Sequence, residues 1–197
     1  MSLRLEQFGR VRRITLADAA RRNVLTEQLA AELLKELWQA DNDADTGAIL
    51  LDGEGQVFCG GADQGAELPT ELLSFGCRIT KPVVAAVHGV AVSVGVALLA
   101  NAQVVVAAQG SSFGLTDIRD GRFHTQMFQA VARAIGKRRA QELALTGRIF
   151  TTPEALSWGL VHAVTPAFEL DDRASVIATQ LSTSNPSVVR QILEASR

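Results

Sequence analysis

Val83-Val84-Ala85-Ala86-Val87-His88-Gly89-Val90-Ala91-Val92-Ser93-Val94-Gly95-Val96-Ala97-Leu98-Leu99-Ala100-Asn101-Ala102-Gln103-Val104-Val105-Val106-Ala107-Ala108 is the stretch that decides the fold. Val83 to Val87 and Val104 to Ala108 are continuous β-branched and small apolar runs. Such runs fit strands covered on both faces, since a half-exposed strand alternates with polar residues. Val92 to Asn101 lies between them and is long enough for a helix. Strand, helix and strand in that order make a parallel pair joined by a crossover, which predicts an α/β domain.

No Asp, Glu, Lys or Arg occurs from Pro82 to Thr116, a length that could cross a bilayer. Pro82, His88, Gly89, Ser93, Gly95, Asn101, Gln103 and the turn-like Gln109-Gly110-Ser111-Ser112 divide it into pieces too short to span. The stretch therefore reads as a buried core unit, with no membrane partner.

Outward toward the N-terminus, Leu3 to Phe8 and Val11 to Leu16 read as paired strands turning at Gly9. Leu29, Leu33 and Leu37 then recur every four residues beside Ala30, Leu34 and Trp38, which predicts an amphipathic helix over Thr26 to Ala40 capped by Thr26. Gly47 to Leu51 and Val57 to Cys59 read as two more strands. Toward the C-terminus the spacing predicts helices over Gln126 to Ile135, Lys137 to Leu145, Pro153 to Trp158 behind Thr152, Asp171 to Leu181 and Pro186 to Ser196. Leu160 to Val164 adds one further strand.

Composition bounds the function. The 197 residues carry 19 Lys+Arg against 21 Asp+Glu, a net charge of −2 that disfavours a nucleic-acid partner. With 47% hydrophobic residues the chain can bury a sizeable core in one domain. Cys59 and Cys77 are too few for a disulfide framework and lack metal-ligand spacing, so both read as reduced thiols and no metal is expected. Met1 to Arg13 is polar and holds Arg4, Arg10, Arg12 and Arg13 without an apolar block, so a cytoplasmic location is the expectation.

Three stretches carry residues suited to chemistry. Gly53 to Asp63 runs a strand into Gly60-Gly61, which serves either a tight turn or a backbone cradle for a ligand. Ala86 to Ala97 places a small-residue turn before a helix, whose first N–H groups are unpaired and suit an oxygen that becomes negative; close strand–helix packing is the alternative. Within it His88, flanked by apolar residues, reads as a hydrogen-bonded core histidine. Ser112 to Gly121 ends the charge-free block at Asp117, either a desolvated acid or base or a surface acid paired with Arg119.

In order and separation, a set of motifs resembles the crotonase superfamily, the enoyl-CoA hydratase/isomerase family. The set is Ile14-Thr15-Leu16, Arg22-Asn23-Val24-Leu25, Phe58-Cys59-Gly60-Gly61-Ala62-Asp63, Lys81 to Gly89, Ala140 to Arg148 and Glu154 to Val161. The resemblance implies a spiral of β-β-α turns, a crotonase-like core over residues 1–165 and a short helical C-terminal region over 166–197, where family members continue into further helices. It implies acyl-CoA thioester substrates, with coenzyme A arriving as part of the substrate and no other cofactor, and a homo-oligomer, a trimer in the family.

The same resemblance assigns roles by position. The backbone N–H groups of Ala62 and Val94 would hold the thioester oxygen as an enolate forms. Arg22, Val24, Gly60 and Ala62 match positions that hold the adenine and pantetheine of coenzyme A. Of two hydratase glutamates, the first position is Ala97 and the second Asp117. An alanine cannot deprotonate water, so isomerisation or related enolate chemistry with Asp117 as the single acid/base is expected over hydration. Val94 stands at a usual glycine, and Arg122-Phe123-His124-Thr125 replaces a Pro-Gly turn. Two alternatives remain: a crotonase-fold subunit that binds acyl-CoA or protein without catalysis, and a hydrolase in which His124 or His88 works beside Asp117.

Overall fold

The computed structural model describes residues 2–196. Strands β1 (Leu3–Phe8) and β2 (Val11–Leu16) form an antiparallel hairpin. Helix α1 (Glu27–Asn42) follows, and the Thr26 hydroxyl accepts from the Leu29 N–H as its cap. Its Leu29, Ala30, Leu33, Leu37 and Ala40 are buried. The fourfold repeat of leucine thus became the packed face.

From there the chain alternates between two sheets. β3 (Ala48–Gly53) joins the large sheet and β4 (Val57–Cys59) the small one. After a 3₁₀ segment at Leu72–Cys77, β5 (Val83–Val87) returns to the large sheet and β6 (Val90–Val92) to the small, followed by α2 (Val94–Asn101). β7 (Val104–Ala108), β8 (Ser112–Gly114), α3 (Thr125–Ile135) and α4 (Lys137–Thr146) make the next turn. Then β9 (Ile149–Thr151), α5 (Thr152–Ser157), β10 (Ala163–Thr165), α6 (Leu170–Ser182) and α7 (Pro186–Ala195) complete the chain.

The large sheet runs β1-β2-β3-β5-β7-β10 and is parallel from β2 onward. The small sheet runs β4-β6-β8-β9, with only the last pair antiparallel. This is the ββα spiral of an α/β protein. One core fills the space between the sheets and the helices, with Phe58, Phe75, Phe113 and Phe150 fully buried, and Phe113 and Phe150 stacked at 5.3 Å to tie β8 to β9. On the outer face of the large sheet Leu170, Ala174 and Ala178 of α6 pack on Val11, Leu50, Val84 and Val106. Helix α6 therefore supplies one wall of that sheet.

Several sequence expectations shift. The helix expected from Val92 begins at Val94, because Val90–Val92 pairs with β4 and β8 instead. β6, β8 and β9 are three residues each, too short to show a period. The strand expected over Leu160 to Val164 is Ala163–Thr165. The cap of α5 is Thr151, not Thr152, in a reciprocal pair with Glu154.

Candidate active site

The turn at Arg22 and Asn23 and the glycines after β4 build one wall. Arg22 (φ 59°, ψ 31°) and Asn23 (φ 53°) sit in left-handed conformations that Asn tolerates best. Asn23 is fully buried, and its amide donates to the Val57 carbonyl at 2.7 Å and the Glu54 carbonyl at 3.0 Å while its Oδ1 accepts from Asp18 N–H at 2.9 Å. That clamp holds 22–25 against 57–62. Gly60 N–H donates to the Arg22 carbonyl at 2.9 Å, and a Cβ on Gly60 would lie 3.0 Å from that oxygen and 3.1 Å from Val24 Cγ2. Arg22, Val24, Gly60 and Ala62 are thus brought together.

The peptide between Gly61 and Ala62 is oriented by a neighbour. The Gly61 carbonyl accepts from Leu25 N–H at 2.9 Å. In a trans peptide the N–H points opposite to the C=O, so the Ala62 N–H is turned away from Leu25. Gly61 itself has φ 102° and its would-be Cβ lies 3.7 Å from Ser93 Cβ, which sets this loop against the start of α2.

The same rule orients the second donor. The Ser93 carbonyl accepts from Val96 N–H at 3.0 Å and Ala97 N–H at 3.3 Å, so the Val94 N–H points out of the helix N-terminus. Val94 keeps ordinary helical backbone; the unusual conformation falls one residue earlier, on Ser93, at φ 52° and ψ −116°. A non-glycine residue there costs about 1–3 kcal/mol. Gly95 lets α2 approach β4, since a Cβ would lie 2.9 Å from the Cys59 carbonyl. Burial pushes the Cys59 thiol up to about 12, which makes it an inert packing group.

Asp117 opens the 3₁₀ turn Asp117–Asp120 after β8 and is 6% exposed. Its Oδ2 is buried without a hydrogen-bond partner. Arg119 does not pair with it; that guanidinium donates to the Gly147 carbonyl at 2.6 Å. The surface-acid alternative is thereby overturned. Asp117 lines a cavity of about 10 Å³ with Leu115, Arg122, Phe123 and Met127, which adjoins an apolar cavity of about 350 Å³ between Ile118, Phe123, Phe128 and Leu145. Arg122 donates to the Asp63 carbonyl at 3.3 Å and pairs with Asp120 at 3.0 Å, joining this turn to the glycine loop.

His124 precedes α3 without a side-chain cap bond, and the small cavity beside Asp117 is walled by Arg122 and Phe123. His124 is not among the residues that wall this small cavity. His88 is half-buried rather than a core residue, and its Nε2 donates to the Gly55 carbonyl at 2.7 Å, a structural bond. Among the described residues no group of three or more His, Cys, Asp or Glu could hold a metal ion, and no helix is long and apolar enough to cross a membrane.

Sequence reading assigns no part in the site to Asn23, Ser93 or Thr116. Asn following Arg22 carried a weak left-handed signal, but its three partners lie more than thirty residues away or across a turn. The Ala62 and Val94 N–H groups thus face away from the partners of their own peptide carbonyls, and Asp117 holds a buried unpartnered carboxylate oxygen on the turn that Arg122 ties to the glycine loop.

Known proteins share this chain's sequence pattern and fold. A family model described as enoyl-CoA hydratase/isomerase matches residues 6–197. A probable enoyl-CoA hydratase of Mycobacterium tuberculosis is 34% identical over 203 residues, covering 97% of this chain and 79% of that protein. The crystal structure of an enoyl-CoA hydratase from Mycobacterium avium matches with a TM-score of 0.89 at 30% identity, covering 99% of this chain and 87% of that one. A probable enoyl-CoA hydratase/isomerase from Mycobacterium abscessus matches at a TM-score of 0.91 and 28% identity, covering 100% and 81%. With a family match across nearly its whole length and the spiral of two sheets behind it, the chain belongs to the enoyl-CoA hydratase/isomerase family of the crotonase superfamily.

Proposed function

We propose that this protein is an acyl-CoA enzyme that stabilises a thioester enolate through the N–H groups of Ala62 and Val94 and moves the proton with Asp117. The observation that carries the reading is the buried, unpartnered Oδ2 of Asp117 with Ala97, fully buried and apolar, at the other carboxylate position. One proton carrier can take a proton from one carbon and return it to another, which is double-bond isomerisation; hydration needs a second polar group to hold and deprotonate water. Each well-aimed donor to the enolate oxygen contributes about 3–4 kcal/mol. Arg22, Val24, Gly60 and Ala62 hold the coenzyme A part, largely through backbone, and no other cofactor is required.

Exposed Phe168, Val176, Val188 and Ile192 on the C-terminal segment support assembly into a homo-oligomer, a trimer by family likeness, and the free thiols Cys59 and Cys77 fit a cytoplasmic setting.

The test incubates the pure protein with crotonyl-CoA and a 3-enoyl-CoA in heavy water and follows products by mass spectrometry. Isomerisation or α-deuteration without hydration supports the reading. Efficient hydration overturns the single-carboxylate assignment, and acyl-CoA that stabilises the fold without being altered favours a binding subunit instead.

A further inference from the structure

The strand-to-helix corner at Ser93 holds more than its backbone demands. Arg22, also at positive φ, has ordinary left-handed values at φ 59° and ψ 31°, whereas Ser93 at φ 52° and ψ −116° occupies a region that suits glycine. Glycine would satisfy the corner, yet a side chain is kept there, 6% exposed, with its Oγ 3.2 Å from the Thr116 Oγ1.

The location of this pair is specific. β6 and β8 end level with each other, Val92 opposite Gly114, and Ser93 N–H donates to the Gly114 carbonyl at 2.8 Å. Beyond that last rung the chains diverge, one into α2 and the other through Leu115 and Thr116 into the turn at Asp117. The Ser93–Thr116 bond is the first cross-link past the ladder. The peptide after Ser93 carries the Val94 N–H, and the residue after Thr116 is Asp117.

We propose that the Ser93 and Thr116 hydroxyls form a clasp that sets the position of the Asp117 carboxylate relative to the Val94 N–H. Both are positioning residues for the proton transfer, and the inference rests on the enolate reading above. A displacement of about 1 Å between reacting groups can lower a rate about a hundredfold, so one hydrogen bond at this point has leverage on turnover without touching substrate affinity. The positions proposed for coenzyme A, Arg22, Val24 and Gly60, are held to one another by contacts in which neither the Ser93 nor the Thr116 hydroxyl takes part, although the adjoining Gly61 packs against Ser93.

The test compares the parent protein with Ser93→Gly, Thr116→Val, Thr116→Ser and the Ser93→Gly/Thr116→Val double variant, measuring kcat and KM for 3-enoyl-CoA isomerisation and the melting temperature. Ser93→Gly removes the hydroxyl while relieving the backbone, so a merely structural serine predicts full activity. The clasp predicts kcat lower by about tenfold to a hundredfold with KM little changed and no loss of melting temperature. Thr116→Val should match that loss, Thr116→Ser should restore the parent kcat, and the double variant should be no slower than either single one, as for two groups acting as a unit. Ser93→Gly with parental kcat, or losses that multiply in the double variant, overturns the clasp alone. A parent protein that alters neither substrate overturns the enolate reading and the clasp with it.

Discussion

The glycine-and-helix wall of the site and the Asp117 turn are made of different material. On the first wall the groups proposed to work are the peptide N–H groups of Ala62 and Val94, oriented because the carbonyls of their peptides accept from Leu25, Val96 and Ala97. On the second the proposed group is one side chain, on a four-residue 3₁₀ turn held by the Arg119–Gly147 and Arg122–Asp63 bonds. Backbone donors persist through changes of side chain as long as the glycines keep the chains close. A carboxylate has no such cover. The first wall thus tolerates Val94 and Ser93 where glycine would serve, while the second depends on one residue.

The largest expected effect breaks the second wall. Asp117→Asn should lower isomerisation by roughly 10²–10⁴-fold with acyl-CoA affinity nearly unchanged, measured by turnover and by isothermal calorimetry. Parental turnover would remove Asp117 from the mechanism. Next comes the spacing of the first wall. Gly95→Ala puts a Cβ 2.9 Å from the Cys59 carbonyl and 3.0 Å from its Cβ, so α2 must move off β4. Stability should fall by about 1–3 kcal/mol in chemical denaturation, and turnover should fall with it.

Val94→Ala sharpens the contrast. The side chain is 2% exposed, so its truncation should destabilise by about 1–3 kcal/mol. The N–H remains, and turnover should drop by less than about tenfold, against the 10²–10³ typical of a deleted donor. A loss of the larger size would mean that the Val94 side chain itself aims the N–H. The smallest effect is expected at His124→Ala, which should retain the parental rate because His124 lies outside the cavity wall beside Asp117. A large fall in turnover, or thioester hydrolysis that disappears in this variant, would restore the hydrolytic alternative.

Much of the fold is legible from local chemistry. The leucine repeat from Leu29, the hairpin at Gly9 and the apolar runs at Val83 and Val104 name their own structure, since each carries its period or its turn residue within a few positions. Of the site, Gly60, Gly61, Ala62 and Asp117 were visible as a glycine turn and as the first carboxylate after the charge-free block. Thr116 was not, because its meaning depends on Ser93, twenty-three positions earlier. Asn23 was unread for the same reason: its partners are the carbonyls of Glu54 and Val57.

By itself the sequence determined the elements that are long enough to hold a period and the positions where a family's motifs recur. The second sheet, the Ser93 corner and the burial of Asp117 were decided only by tertiary structure. Strands of three residues have no pattern of their own and exist because β4, β6, β8 and β9 meet one another. A serine takes a glycine's conformation only where a ladder, a helix start and a hydroxyl partner together hold it there, and those three arrive from separate parts of the chain.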